Sequence, residues 1–333
     1  MKLAARIALI AGLGVMILLI AHEGAVGIIK LLSKAGWMLL LLLPLHVLPL
    51  LLDAAGWRAT IFARCRLLTL FLIAVVRQAV NGLLPVANIG GELVGIRLLA
   101  RTGVDGTLAA ASVIVEVLLT IVGQYLFVAL GVVLLLQVTQ AMRLTNELLL
   151  GLAASAPVIA LLIVLLRHGS VFERLQHMAA RFGPNLRDSG VTVRGADVDA
   201  AIGTLFGAYG RLARAIGWQF AGLLAECLET WAGLWFLGVS VGFSKALILE
   251  SLTQAARQFL FIVPAGLGVQ EVGLVAVGHL LGIGSDVALA LSLAKRMTRI
   301  VFGVPALLAW QWTETKEGLK RFRERGEAPR TRQ

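Results

Sequence analysis

The chain has 333 residues, 59% of them hydrophobic and only 15% charged, and its mean hydropathy of +0.88 excludes an ordinary soluble globular domain. A net charge of +11 would suit nucleic acid, but no basic stripe lies on a foldable soluble segment, so nucleic acid is not an expected partner. The two cysteines, Cys65 in a basic loop and Cys227 in an apolar run, give no disulfide framework.

Apolar stretches fall at 3–22, 36–52, 67–84, 86–100, 107–137, 147–166, 214–239, 246–263, 267–283 and 286–312. Runs of about 18 or more apolar residues cross a hydrocarbon core roughly 30 Å thick as helices. Open sheets leave backbone groups unsatisfied in lipid, so the expected class is an all-α polytopic membrane protein. The first stretch follows Lys2 and Arg6 like a secretory signal, but the "AHEGA" after it lacks a small-residue cleavage pattern and is read as the end of an uncleaved helix. Stretches 86–100 and 267–283 are short and rich in Gly. Each is expected to form, with its predecessor, a helical hairpin that either crosses the bilayer or re-enters it.

If each stretch reverses direction and the N-terminus is cytoplasmic, 21 Lys and Arg fall in inside loops and four (Lys30, Lys34, Arg143, Lys245) outside. That asymmetry places both termini in the cytoplasm. Within 167–213, Val171, Phe172, Leu175, Met178 and Phe182, then Ile202, Leu205, Phe206, Tyr209 and Leu212, recur at helical spacing among arginines. Two interfacial helices on the anionic cytoplasmic leaflet are expected there.

Two stretches repeat: "RQAVNGLLPVANIGGE" from Arg77 and "RQFLFIVPAGLGVQE" from Arg257. Arg77-Gln78 aligns with Arg257-Gln258, Pro85 with Pro264, Glu92 with Glu271, Asp105 with Asp286, Ser112 with Ser292 and Gly123 with Gly303. An odd number of crossings separates the copies, so they point in opposite directions. The expected organisation is two inverted five-element repeats, 1–137 with hairpin 67–100 and 147–312 with hairpin 246–283, the latter carrying the cytoplasmic interfacial insertion 167–213. A basic cytoplasmic tail, 313–333, follows. Such repeats build transporters in which broken helices meet near the midplane. Pro85 and Pro264 break their helices, while Gly82, Gly90 and Gly91 in one copy and Gly266 and Gly268 in the other permit a sharp reversal.

Arg77, Arg257, Lys295, Arg296 and Arg299 stand in apolar stretches, as do Glu92, Glu116, Glu226, Glu229 and Glu271. A charge at the bilayer centre costs at least ~2.5 kcal/mol, so these groups should pair or line a polar cavity. A substrate cavity is expected from Arg77, Glu92, Glu116, Glu226, Glu229, Arg257, Glu271 and Arg296. Glu116 and Arg296 occupy equivalent positions with opposite charge and are expected to meet across the pseudo-twofold axis. Arg77 and Arg257 lie near the ends of their stretches, where snorkelling to headgroups is the alternative. Glu226 and Glu229 share a helix face, which lines the cavity or answers Lys295 and Arg299. Asp105 and Asp286 precede long runs as helix N-caps.

"GVSVG" at 238–242 fits G-x-S-x-G but joins two membrane stretches instead of a strand and a helix. Zinc, P-loop and dinucleotide fingerprints are missing, and the five histidines have no metal-ligand spacing. A non-enzymatic protein with no cofactor and no metal is therefore expected, and any transport would draw on a gradient, a potential or downhill exchange.

At "LLPVANIGGE" and "VPAGLGVQE" the chain resembles the family that contains the transmembrane (flippase) region of bacterial lysylphosphatidylglycerol synthases, and within it the hopanoid-biosynthesis-associated (HpnL-type) membrane proteins. The resemblance implies a bacterial inner-membrane protein that moves a lipid between leaflets, with the hairpins forming the translocation cavity. By motif it carries over Pro85, Glu92, Pro264, Gly266, Gly268 and Glu271. The chain ends after the basic tail, so lysine transfer by a soluble domain is not expected. The competing readings are a membrane scaffold for lipid-biosynthesis enzymes and an intramembrane enzyme using Glu226 and Glu229 as acid and base. Expected partners are membrane lipids, a second copy of the chain and lipid-biosynthesis enzymes.

Overall fold

Backbone N–H and C=O groups in apolar surroundings are satisfied most economically within helices, and no strand occurs among the described residues. The computed structural model describes residues 14–22, 25–84, 90–138, 142–182, 194–259, 263 and 266–326. After α1 (14–22) come α2 (Ala25–Ala35) and a 3-10 segment (Gly36–Leu41) that runs straight into α3 (Leu42–Thr60). Then follow α4 (Leu67–Leu83), α5 (Gly90–Arg101), α6 (Gly106–Val138), α7 (Met142–His168), α8 (Val171–Phe182) and α9 (Gly195–Gly207). The chain closes with α10 (Tyr209–Phe236), α11 (Phe243–Phe259), α12 (Val269–Leu280) and α13 (Ser285–Gly326).

Three helical passages among the described residues are long and apolar enough to cross a membrane: Ala25–Thr60, Gly106–Val138 and Asn146–His168. The last keeps Leu150, Val158, Leu161 and Val164 on the outside, as a lipid-facing helix does. α4 and α12 are apolar but shorter. The second stretch starts earlier than expected, with α2 preceding Gly36, and α13 continues to Gly326, well into the segment expected to be a tail from 313. α8 and α9 lie within 167–213, but the second expected helix is split: Ile202, Leu205 and Phe206 are on α9, whereas Tyr209 and Leu212 belong to α10.

The most extensive helix–helix packing is between α3 and α10, which places this pair at the centre. α4 packs on α5 and α13, α11 packs on α12 and α6, and α3 packs on α4 as α10 packs on α11. Likewise α5 packs on α6 and α12 on α13. Exchanging α3 with α10, α4 with α11, α5 with α12 and α6 with α13 therefore reproduces the pattern of neighbours.

Apolar clusters gather specific helix ends. At one end Trp57, Ile61, Leu70, Leu99, Val104 and Ala109 form one cluster, and Ala111 and Val115 meet Val198, Ile202, Leu205 and Ala215 in another. At the opposite end Ile28, Leu135, Leu237, Ile248, Leu281 and Ile283 pack together. Arg58 at the end of α3, Arg64 and Arg66 of the loop 61–66, Arg97, Arg101, Arg211 and Arg214 thus share one end, and Lys245, which donates to the carbonyl of Leu281 at 3.1 Å, belongs to the other. Arg97 and Arg101 at the first end both reach Glu314 of α13, at 3.0 and 2.9 Å.

Candidate functional site

Three helices of the first half converge on Arg77. Its guanidinium is buried, lies 4.8 Å from the centroid of the Trp57 ring, and donates through Nη2 to Glu116 Oε2 at 2.7 Å and to Glu92. Asn81, one turn along α4, accepts the Gly91 N–H at 2.8 Å and donates to Glu92 Oε1 at 3.3 Å. The crossing of α4 and α5 is close enough that a Cβ on Gly91 would lie 2.5 Å from the Arg77 carbonyl oxygen. Glycine is thus required there for the approach of two backbones.

The second half is wired differently. Glu271 receives Arg296 Nε at 2.7 Å and Nη2 at 2.9 Å, Ser292 Oγ at 2.7 Å and the Gly268 N–H at 2.9 Å. Gly266 and Gly268 have φ of 58° and 77°, the left-handed conformation that tight reversals need. The broken segment is thus tied to both α12 and α13. Gln270 donates to Ser292 at 2.9 Å and accepts from Arg299.

A third cluster lies between them. Lys295 Nζ reaches Glu250 at 2.7 Å and Thr230 at 2.8 Å, and Thr230 also donates to Glu250. Gln254 donates to Glu250 at 3.0 Å and to Glu226, and it accepts from Gln124 at 3.3 Å. His46 of α3 bridges the halves, with Nδ1 3.0 Å from Glu229 Oε2 and Nε2 3.2 Å from Gln78 Oε1.

A cavity of about 310 Å³ opens beside these groups, along the seam of α3 and α10. It is lined by Asp53, Arg77, Gln78, Asn81, Glu92, Glu116, Gln124, Gln219, Glu226 and Gln258, with Pro49, Leu50, Ala74, Val117, Thr120, Ile121, Gly222 and Leu223 as its remaining wall. Two buried polar atoms on its wall, Arg77 Nη1 and Gln124 Oε1, have no hydrogen-bond partner among the described residues. An unsatisfied buried donor or acceptor is costly, and here one of each flanks a common space.

Of the eight residues expected to form a cavity, Arg77, Glu92, Glu116 and Glu226 line this one. Glu229 turns to His46, Glu271 and Arg296 form their own clamp, and half-buried Arg257 makes no hydrogen bond or ion pair among the described residues, although its Nε would lie 3.2 Å from a Cβ on Gly266. The expected meeting of Glu116 with Arg296 does not occur. Each finds a nearer partner in its own half, Arg77 and Glu271 respectively. Nor do Glu226 and Glu229 answer Lys295 and Arg299 by ion pairing. Lys295 takes Glu250 instead.

Gly82, Gly90 and Gly91 are helical, not reversing, residues, and Pro85 and Pro264 lie outside the described residues. Asp105 caps α6, accepting the N–H groups of Thr107 and Leu108 at 2.9 and 3.1 Å, whereas Asp286 is already inside α13. Glu250, His46, Gln254 and Gln270 were not singled out by sequence reasoning as site residues. Glu250 carried the signal, being a carboxylate inside an apolar stretch. His46, a lone histidine without metal-ligand spacing, carries no such signal.

Among the described residues no three His, Cys, Asp or Glu converge as metal ligands. The family model described as the lysylphosphatidylglycerol synthase TM region matches residues 3–306. No curated protein and no solved structure matches the chain.

Proposed function

The chain belongs to the lysylphosphatidylglycerol synthase transmembrane-region family, and on that premise we propose that it is a lipid transporter of the bacterial inner membrane rather than an enzyme. Its cargo is a polar-headed lipid, hopanoid or phospholipid, whose headgroup enters the cavity on the α3–α10 seam while the tails stay in the bilayer. The supporting observation is the cavity itself: within an apolar helical protein, Arg77, Glu92, Glu116 and Glu226 surround a space that also exposes an unpartnered donor and an unpartnered acceptor. A volume of about 310 Å³ is at the small end of ligand pockets, which run from ~300 to 1,000 Å³, and suits a headgroup better than a whole lipid.

The exchange of neighbours between α3–α6 and α10–α13 supports two repeats related by a pseudo-twofold axis, inverted in the membrane, with α4–α5 and α11–α12 as the broken hairpins. Both termini and 167–213 then face the cytoplasm, the side to which the arginine-rich end is turned.

The test is reconstitution in vesicles with fluorescent phosphatidylglycerol and with a fluorescent polar hopanoid, in separate arms that identify the cargo. Glu92→Gln and Glu226→Gln keep size and hydrogen bonding but remove charge. Each is expected to insert normally and move lipid slowly, with the double variant near background. Wild-type movement by the double variant would favour the scaffold reading.

A further inference from the structure

A second cavity, of about 1120 Å³, lies where the end of α3, the loop 61–66 and the first turns of α10 meet. Its wall carries Arg58, Arg64, Arg66, Arg211 and Arg214, together with Trp218, and no Asp or Glu. We propose that these five arginines form a binding site for a phosphate-bearing anionic group, held at the membrane boundary and separate from the inner cavity.

Five like charges on one concavity repel one another unless an anion joins them. Among the described residues none of the five has a carboxylate within ion-pair distance, whereas Arg97 and Arg101 at the same end of the bundle share Glu314. Arg211 and Arg214 are three apart on α10 and so lie on one helix face. Arg211 is further held by the Phe62 ring, 4.4 Å beneath its guanidinium carbon. Guanidinium is the cation of choice for such a site, since it is weakly hydrated and its fork grips two phosphate oxygens at once.

The cavity's position fits a headgroup. Directly after Arg66, Leu68 and Leu72 of α4 are 66% and 56% exposed, an apolar face along which acyl chains can lie. Phe62 and Trp218 are exposed beside the arginines, as aromatic side chains are at a membrane–water boundary. The inner cavity is kept apart by the approach of α3 and α10, where a Cβ on Gly56 would stand 3.3 Å from the Ala215 carbonyl oxygen, and by the hydrogen bond from Gln219 to Asp53 at 3.0 Å. The proposal therefore does not depend on lipid being transported.

The full chain in neutral detergent is titrated with dioctanoyl phosphatidylglycerol, followed by native mass spectrometry, with inorganic phosphate and dioctanoylglycerol as the other probes. Replacing Arg58, Arg211 and Arg214 together by Gln should weaken phosphatidylglycerol binding by at least about tenfold, while R174Q/R194Q, the loss of two cations outside the cavity, should bind as the wild type. The Lys version of the triple variant keeps the charge but loses the forks, and should fall between the two. It also decides the matter if the Gln version does not fold. Displacement of the lipid by inorganic phosphate would assign the site to a soluble phosphate compound, and resistance to displacement would assign it to a lipid headgroup. Undiminished binding in the Lys and Gln variants, or equal binding of dioctanoylglycerol, would overturn the proposal.

Discussion

Arg77 is shared by two carboxylates, and that asymmetry fixes what its loss should do. In R77Q, Glu116, 3% exposed, and Glu92, with a side chain 22% exposed, lose their common cation. Breaking a buried ion pair from one side typically costs ~3–5 kcal/mol. The contact of the guanidinium with the Trp57 ring, at 4.8 Å, is lost as well, a further ~0.5–2 kcal/mol. Glu116→Gln should be far milder, because Arg77 keeps Glu92 and the amide oxygen still accepts its Nη2. About 1–2 kcal/mol, the charge-assisted part of one hydrogen bond, is expected. R77Q/E116Q should then be more stable than R77Q alone, since it removes the most deeply buried uncompensated charge. Denaturant titration of the purified variants in mixed micelles, followed by tryptophan fluorescence, orders the three. E116Q as damaging as R77Q, or a double variant no better than R77Q, would refute the account of Arg77 as the shared cation.

A charge-reversal cycle on Glu116 and Arg296 should show no coupling in the same unfolding assay, while a cycle on Glu271 and Arg296 should show at least about 1 kcal/mol; coupling in the first pair would mean that the two side chains meet after all. Gly91→Ala should destabilise by ~1–3 kcal/mol because its Cβ meets backbone at 2.5 Å, whereas Gly151→Ala, which meets nothing within 4 Å, should be nearly neutral or stabilising by thermal denaturation. Burial pushes the Cys65 thiol up, against the opposing charge of Arg58, so its alkylation should be slow and should quicken as pH rises. A membrane-impermeant maleimide should leave Cys65 unmodified in intact cells and modify it in inverted vesicles; labelling in intact cells would reverse the proposed orientation.

The sequence by itself determined the class and most of the elements. Apolar run length forces helices wherever water is absent, and the spacing within 167–213 placed two more outside the apolar stretches, where α8 and α9 stand. It also marked charges inside apolar runs, which should pair or line a polar cavity; Arg77, Glu92, Glu116, Glu226, Glu271 and Arg296 find partners among the described residues, whereas Arg257 makes no hydrogen bond or ion pair there. Which partner each takes was decided only by the tertiary structure. Alignment makes Arg77 equivalent to Arg257 and Glu116 to Arg296, which suggests a pair across the axis. Packing α5 against both α4 and α6 instead leaves one arginine serving two glutamates in the first half. In the second half Arg296, on the helix where Glu116 has its counterpart, serves Glu271. The opposite signs of the two equivalent positions therefore reflect two local solutions to the same burial problem. Side-chain reach is a few ångströms, so ion pairing follows which helices touch and where along their length. A one-dimensional pattern does not contain that distance, and the convergence of five arginines from α3, its following loop and α10 was hidden for the same reason.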